Sequence, residues 1–331
     1  MIAVVNKNML IDADAHIATP DCFETLDNRE FVDRYLTHYH KTGNLKTAEQ
    51  QKKEAQEQGV THQVLNFFGA NTGLNYHHSL NDAVKIAKVY NTSMSAIVNN
   101  SDGFFSATGW IPMQNISASL TEIDRIKQLN LFAVFVDDTV AWGRANWSKP
   151  VFQRCAELNL PMYIHFTKVE HNIDNNLQDI DDEDIIKKLK FNTWDLQCNL
   201  DGSIDFLKML YSMIESEWLD EFKTIKFVIA ERGIDWIKPF VQFCDEHTGK
   251  DTLALLQKHF WFTTEPEHKN FIQDAEYIGW DKVLFASDHG HNADCGGANF
   301  GYDLDTIKKF NLQTDIVELI TYKNFQQLIR S

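Results

Sequence analysis

The sequence contains few cysteines, and their arrangement excludes two kinds of site. Five cysteines are spread across 331 residues, they are odd in number, and none belongs to a C-x-x-C pair. This argues against a disulfide framework and against a zinc site made of thiolates. We therefore expect a protein of a reducing compartment, and we predict that it is cytoplasmic.

Long hydrophobic runs and an excess of positive charge are also missing. No apolar stretch approaches the roughly 20 residues of a membrane-spanning helix. The N-terminal segment is interrupted by Asn6, Lys7 and Asn8 and does not resemble a secretory signal. With 47 acidic against 31 basic residues, the formal net charge is −16. Nucleic acids and anionic membranes need a positive surface, so we expect neither as a partner.

Short apolar runs alternate with amphipathic segments along the whole chain, in which 44% of the residues are hydrophobic. The candidate strands are 9–16, 62–67, 106–111, 131–137, 161–166, 225–231, 259–264 and 282–287. The amphipathic segments are 47–58, 81–98, 117–129, 148–158, 202–217, 234–246 and 267–277. This alternation predicts an α/β protein with a (β/α)8 TIM barrel in a single domain, 1–331. An open doubly wound sheet is the alternative, but no glycine-rich phosphate turn follows the first strand.

Two segments are longer than ordinary loops. Residues 18–46 follow the first candidate strand, and residues 167–201 follow the fifth. In a barrel, both insertions would lie on the catalytic face, where they would form lids or pocket walls. The acidic stretch 171–184 fits a disordered insertion equally well.

Polar side chains recur with a period of two in the first candidate strand. Asp12, Asp14 and His16 stand in an otherwise apolar stretch, and this period would place all three on one face of a strand. Burying them without partners is costly, and a divalent metal would satisfy them because carboxylate and imidazole are ordinary ligands of zinc, manganese or iron. The other interpretation is a strand end with a solvated turn. Asp12 and Asp14 compete for the role of ligand.

Three further candidate strands end in an ionisable residue: His165 on the fifth, Glu231 on the sixth and Asp288 on the eighth. Barrel enzymes keep their sites at the C-terminal ends of the strands, so these residues would meet at one edge. A lone histidine on an apolar strand is more often a hydrogen-bonded core residue. The prediction of a site therefore rests on the coincidence of several strand ends.

These motifs resemble the amidohydrolase superfamily, and most closely its amidohydrolase-2 branch, which includes aminocarboxymuconate-semialdehyde and resorcylate decarboxylases. The matching pieces cover nearly the whole chain: 11–17, 109–114, 160–165, 227–236, 262–266, 283–291 and 319–328. The D-x-H motif and the run Ser287–His291 are the most specific. The resemblance implies one metal ion, with Asp14, His16, His165 and Asp288 as ligands. We expect zinc, with manganese or iron as alternatives.

One position departs from the family pattern. Many members carry a histidine at the end of the sixth strand, where this chain has Glu231 followed by Arg232. An ionised carboxylate accepts a hydrogen bond but does not donate one, so the decarboxylase mechanism does not transfer directly. Glu231 is interpreted either as a general acid or base, or as a carboxylate that fixes His165 or Arg232.

The resemblance leaves two reactions open, both on a small organic substrate. The first is hydrolysis of a C–N or C–O bond by a metal-activated water, with Asp288 as proton shuttle; the second is non-oxidative decarboxylation of an aromatic or unsaturated acid. Glu231 favours hydrolysis, which we place first, while the family likeness favours decarboxylation. His291 would act beside Asp288, Arg232 would bind a substrate carboxylate or neutralise Glu231, and Trp236 would line an aromatic pocket.

A barrel that binds ligands without chemistry is the third hypothesis, and the complete ligand set argues against it. Family members often form dimers, so the resemblance also implies a homodimer.

Overall fold

The computed structural model describes most of the barrel. The described residues are 9–17, 46–67, 80–113, 115–137, 149–165, 206–207, 209–266, 269–290 and 302–330. The predicted insertions 18–46 and 167–201 lie outside these ranges except for Lys46, and so does His291.

Eight parallel strands form one sheet in chain order. They are β1 Ile11–Ile17, β2 His62–Phe67, β3 Phe105–Trp110, β4 Ala133–Asp137, β5 Met162–His165, β6 Phe227–Ala230, β7 Phe260–Thr263 and β8 Val283–Leu284. The barrel closes beyond β8, where Ala13 N–H donates to Phe285 O at 2.8 Å and His16 N–H donates to His289 O at 2.7 Å. This arrangement confirms the predicted (β/α)8 barrel and excludes the open sheet.

Helices follow the strands on the outside of the barrel. They are Ala48–Glu57, Leu80–Asn99, Ile116–Gln128, Lys149–Glu157, Trp218–Glu221, Ile237–Thr248, Thr252–His259, Phe271–Ile278, Tyr302–Lys309, Thr314–Glu318 and Asn324–Arg330, with a helical stretch over 209–215, a 3-10 turn at Trp280–Lys282 and a π-helical turn at Leu319–Lys323. The sequence reading missed Thr252–His259, which begins where the side chain of Asp251 accepts a hydrogen bond from Ala254 N–H at 3.0 Å. Within the described ranges, no helix is long and apolar enough to cross a membrane.

The register between β1 and β2 contains one irregularity that positions the site. Asp12 pairs with Gln63, whereas Ala15 pairs with Leu65, so β1 has one extra residue at this point. Such a β-bulge breaks the alternation of side chains along a strand. Asp12 therefore faces the outer helices, while Asp14 and His16 face the barrel interior. The prediction that all three share one face is wrong for Asp12.

Candidate metal centre

Five ionisable side chains converge inside the C-terminal end of the barrel. Asp14 and His16 lie on β1, His165 is the last residue of β5, Glu231 directly follows β6, and Asp288 lies beyond β8. Asp14 and both histidines are at most 1% exposed, whereas the side chains of Glu231 and Asp288 are 14% and 29% exposed. The structure thus brings together the strand-end residues named from the sequence. Of these five side chains, those of Glu231 and Asp288 are the more exposed to solvent, and we call the side on which they lie the opening.

The nitrogen and oxygen atoms of this group face one another at short distances. His16 Nε2 lies 3.2 Å from His165 Nε2. Glu231 Oε1 lies 3.0 Å from the first of these nitrogens and 2.8 Å from the second. Asp288 Oδ1 and Asp14 Oδ1 lie 3.3 Å and 3.6 Å from His16 Nε2.

These distances fit a single bound cation. A metal–nitrogen bond is about 2.0–2.1 Å long, so two ligands at a right angle are about 3.0 Å apart and two at a tetrahedral angle are about 3.4 Å apart. The triangle formed by His16 Nε2, His165 Nε2 and Glu231 Oε1 is close to the right-angle case. Asp14 Oδ2 is buried, and no hydrogen-bond donor of the described residues reaches it. A divalent ion would satisfy this oxygen and neutralise the crowded carboxylates.

Neighbouring side chains hold the ligand candidates in place. Asn66 Nδ2 donates to Asp14 Oδ1 at 2.6 Å, and Thr108 Oγ1 donates to Asn66 Oδ1 at 2.8 Å. The His16 and His165 rings meet edge to face, with centroids 4.8 Å apart. Sequence reasoning missed Asn66 and Thr108. The available signal was one polar residue near the end of each of the neighbouring strands β2 and β3.

The backbone is strained at both carboxylates that border the opening. Glu231 has φ of +54° and Asp288 has φ of +50°, a left-handed conformation that side chains other than glycine rarely adopt. Such conformations cost about 1–3 kcal/mol each and persist where their surroundings enforce them. Glu231 N–H donates to Thr263 Oγ1 at 3.1 Å, and Asp288 N–H donates to Asp14 O at 3.1 Å.

The electrostatics of the group favour an added positive charge. Burial, and next the nearby charge of Glu231, hold the pKa of Asp288 well above its ordinary value. Burial likewise raises the pKa of Asp14. Burial works against the charged form of His16, but contacts with Asp288 and Glu231 outweigh it, so its pKa is raised. Without a metal ion, the group would therefore retain protons.

Three further residues named from the sequence have contacts of their own. Asp12 accepts hydrogen bonds on the outer side of the sheet, and burial raises its pKa to about 7. Arg232 lies over the Phe206 ring, 5.4 Å from its centroid, and burial lowers the pKa of its guanidinium to about 9. Trp236 is 5% exposed and packs edge-on against Phe206. The roles of Arg232 and Trp236 toward a substrate stay predictions.

A sequence model of the amidohydrolase family matches residues 11–328. The chain belongs to the amidohydrolase family. A search of curated proteins found no match.

Several solved structures resemble this chain over 98% of its length. One is 5-carboxyvanillate decarboxylase from Sphingomonas paucimobilis, with 16% identity, a TM-score of 0.75 and coverage of 98% of this chain and 99% of that one. Another is 2,6-dihydroxybenzoate decarboxylase from Rhizobium, with 15% identity, a TM-score of 0.72 and coverage of 98% of this chain and 99% of that one. A third is a dihydroxybenzoic acid decarboxylase from Polaromonas, solved with manganese and the inhibitor 2-nitroresorcinol. It has 16% identity, a TM-score of 0.72 and coverage of 98% of this chain and 97% of that one. At these identities the likeness shows the fold.

Proposed function

We propose that this chain is a metal-dependent decarboxylase that releases carbon dioxide from a small hydroxylated aromatic acid. The observation that carries the proposal is the cluster of two imidazoles and two carboxylates, Asp14, His16, His165 and Glu231, at the catalytic end of an amidohydrolase barrel, with Asp288 Oδ1 3.3 Å from His16 Nε2. The full-length likeness to barrels that act on dihydroxybenzoate and carboxyvanillate supports decarboxylation over hydrolysis, although hydrolysis was placed first from the sequence.

The residues proposed to hold the ion are Asp14, His16, His165 and Asp288, with Glu231 adding an oxygen on the same side. Once bound, a divalent cation would supply a Lewis acid that holds and orients the oxygens of the substrate. We propose manganese in place of zinc, because a set rich in carboxylates with near right-angle spacing suits an octahedral ion. The bound manganese of the Polaromonas enzyme agrees with this choice.

Decarboxylation requires a proton at the ring carbon that bears the carboxylate. In the proposed reaction, Asp288 donates this proton. The bond to the carboxylate then breaks, its electron pair returns to the ring, and carbon dioxide leaves. Asp288 suits this role because its carboxyl group lies beside the proposed metal position and because its side chain, at 29% exposed, is open to reprotonation from solvent.

The test is a measurement of carbon dioxide release from a panel of hydroxybenzoates by the manganese-loaded protein. Release matched by loss of the acid, and absent in the His165→Ala variant, supports the proposal. Turnover of amides or lactones without carbon dioxide would overturn it in favour of hydrolysis. Hydrolysis is the second candidate because Glu231, when ionised, can accept a proton from water but cannot donate a hydrogen bond.

A further inference from the structure

A second polar cluster lies behind the candidate metal centre, between the sheet and the helix Ala48–Glu57, with Asp12 at its middle. We propose that Asp12 is a positioning residue that sets the geometry of Asp288 for metal binding and is not itself a ligand. This inference rests on the proposed metal site.

The Asp12 carboxylate accepts hydrogen bonds on both of its oxygens. Oδ1 accepts from Ser287 N–H at 2.9 Å and from Asp14 N–H at 3.4 Å. Oδ2 accepts from Ser287 Oγ–H at 2.6 Å and from Gln63 Nε2–H at 2.7 Å. Both polar hydrogens of Ser287, the residue before Asp288, therefore point to this one side chain.

The same segment is bonded to β1 on each side of the strained residue. Asp288 N–H donates to Asp14 O, and His16 N–H donates to His289 O. Gly290 has φ of +122°, and a Cβ at this position would lie 2.5 Å from His16 O. A left-handed Asp288 persists only where its neighbours enforce it. Asp12 contributes to this by holding both polar groups of Ser287, whose hydroxyl also accepts from His289 N–H at 3.2 Å.

Gln63, which donates to Asp12, is itself oriented by side chains that lie closer to the helix Ala48–Glu57. His289 Nε2 lies 2.9 Å from Glu54 Oε2, and His289 Nδ1 lies 3.4 Å from Gln63 Nε2. Since Gln63 Nε2 is a donor, the neutral tautomer with hydrogen on Nε2 satisfies both contacts, and Nδ1 accepts. Gln51, on the adjacent helix, donates to Gln63 Oε1 at 3.3 Å. One amide hydrogen of Gln63 is thereby directed toward Asp12 and the other toward His289 Nδ1.

The substitution Asp12→Asn tests positioning with little change in shape. Every contact of Asp12 is a donor, so the new NH2 group must face at least one donor, and the Ser287–Asp288 peptide is expected to shift. Removing a group that supports a metal ligand costs about 10–100-fold in metal affinity. We therefore expect Asp12→Asn to bind Mn²⁺ 10–100-fold more weakly than the unmodified protein, by electron paramagnetic resonance titration, and to give a changed spectrum of the bound ion.

The matched control is Glu122→Gln, another buried carboxylate made neutral. Glu122 accepts from Asn91 at 2.7 Å and from Arg125 at 2.6 Å, between two outer helices. The Glu122→Gln substitution should lower the midpoint of thermal unfolding and leave the Mn²⁺ affinity and the spectrum of the bound ion unchanged. If Asp12→Asn does not fold, Ser287→Cys and Ser287→Ala together decide the matter, because both weaken or remove the side-chain donor to Asp12 and keep the backbone contact, while only Ser287→Ala fully removes the acceptor of His289 N–H.

Binding by folded Asp12→Asn that is weaker but still measurable, or weaker binding by Ser287→Ala, supports the inference when Glu122→Gln binds normally. Unchanged affinity in folded Asp12→Asn, or in both Ser287 variants where Asp12→Asn does not fold, overturns the inference alone. An unmodified protein that binds no Mn²⁺ overturns the proposed metal site and the inference with it. If Asp12→Asn loses manganese entirely, while Ser287→Ala retains full affinity, Asp12 is a ligand and the positioning role is wrong.

Discussion

The substitution Glu231→Gln offers a sharp test of how the candidate metal centre works. Glutamine keeps the size of the side chain and removes one negative charge. Glu231 Oε1 lies 3.0 Å from His16 Nε2 and 2.8 Å from His165 Nε2. When both nitrogens bind a metal they carry no hydrogen, so the carboxylate at these distances interacts with the cation itself.

The size of the effect follows from this contact. Replacing a group that only supports a ligand costs about 10–100-fold in metal affinity, so losing a direct donor should cost more than about 100-fold. Asn66→Ala provides the comparison, because Asn66 donates to Asp14 at 2.6 Å and does not belong to the group of candidate ligands. We expect Asn66→Ala to fall within the supporting range and Glu231→Gln to fall clearly beyond it.

Both variants can be measured by titrating the metal-free protein with Mn²⁺ in a calorimeter, after circular dichroism shows that each is folded. If Glu231→Gln binds Mn²⁺ no more weakly than Asn66→Ala, Glu231 is not a metal donor. It would then be either a proton carrier beside the metal or a carboxylate that fixes His165 or Arg232, the two roles that the sequence allows.

Three further predictions concern other parts of the barrel. His165→Ala should lose bound metal, measured by elemental mass spectrometry, while its far-ultraviolet circular dichroism stays that of the folded barrel; full retention of metal would contradict the site. Gly109→Ala should reduce the free energy of unfolding by about 1–3 kcal/mol, because the new Cβ would overlap Cγ1 of Ile126 and lie 2.6 Å from its Cδ1. Urea unfolding of the two single variants and of the double variant with Ile126→Ala tests this contact. If the two losses of free energy simply add in the double variant, the contact is not the cause. Burial lowers the pKa of His62 in the folded protein, so the contribution of neutral His62 to stability is present above its unfolded pKa and is lost as the pH falls through its folded pKa. The thermal unfolding midpoint should therefore decrease less on acidification in His62→Asn than in the unmodified protein, and an equal decrease would exclude His62 as a cause.

The architecture could be predicted largely from local pattern. Apolar runs of strand length alternate with amphipathic segments because each strand is buried on both faces and each helix on one. All eight strands therefore form close to their predicted positions. The helix Thr252–His259 was missed because it immediately precedes β7 and its own apolar residues merge with those of the strand.

The candidate site could be predicted only in part. His165, Glu231 and Asp288 follow from the rule that barrel sites collect at strand ends. The support from Asn66 was only weakly signalled, because β2 also contains His62 and Gln63 and spacing alone does not show which polar side chain reaches Asp14. The side chains of Arg232 and Trp236 also pack against Phe206, a contact that no spacing in the sequence indicates.

The sequence alone determined the barrel, the family and the kind of atoms at its catalytic end, because these depend on burial pattern and residue type. The tertiary structure decided which carboxylate of β1 faces those atoms, since the bulge that separates Asp12 from Asp14 exists only in the register with β2. It also decided that Glu231 meets two histidines, which lie 215 and 66 residues away along the chain. Distances of this kind are set by the closure of the barrel, and no local stretch of sequence encodes them.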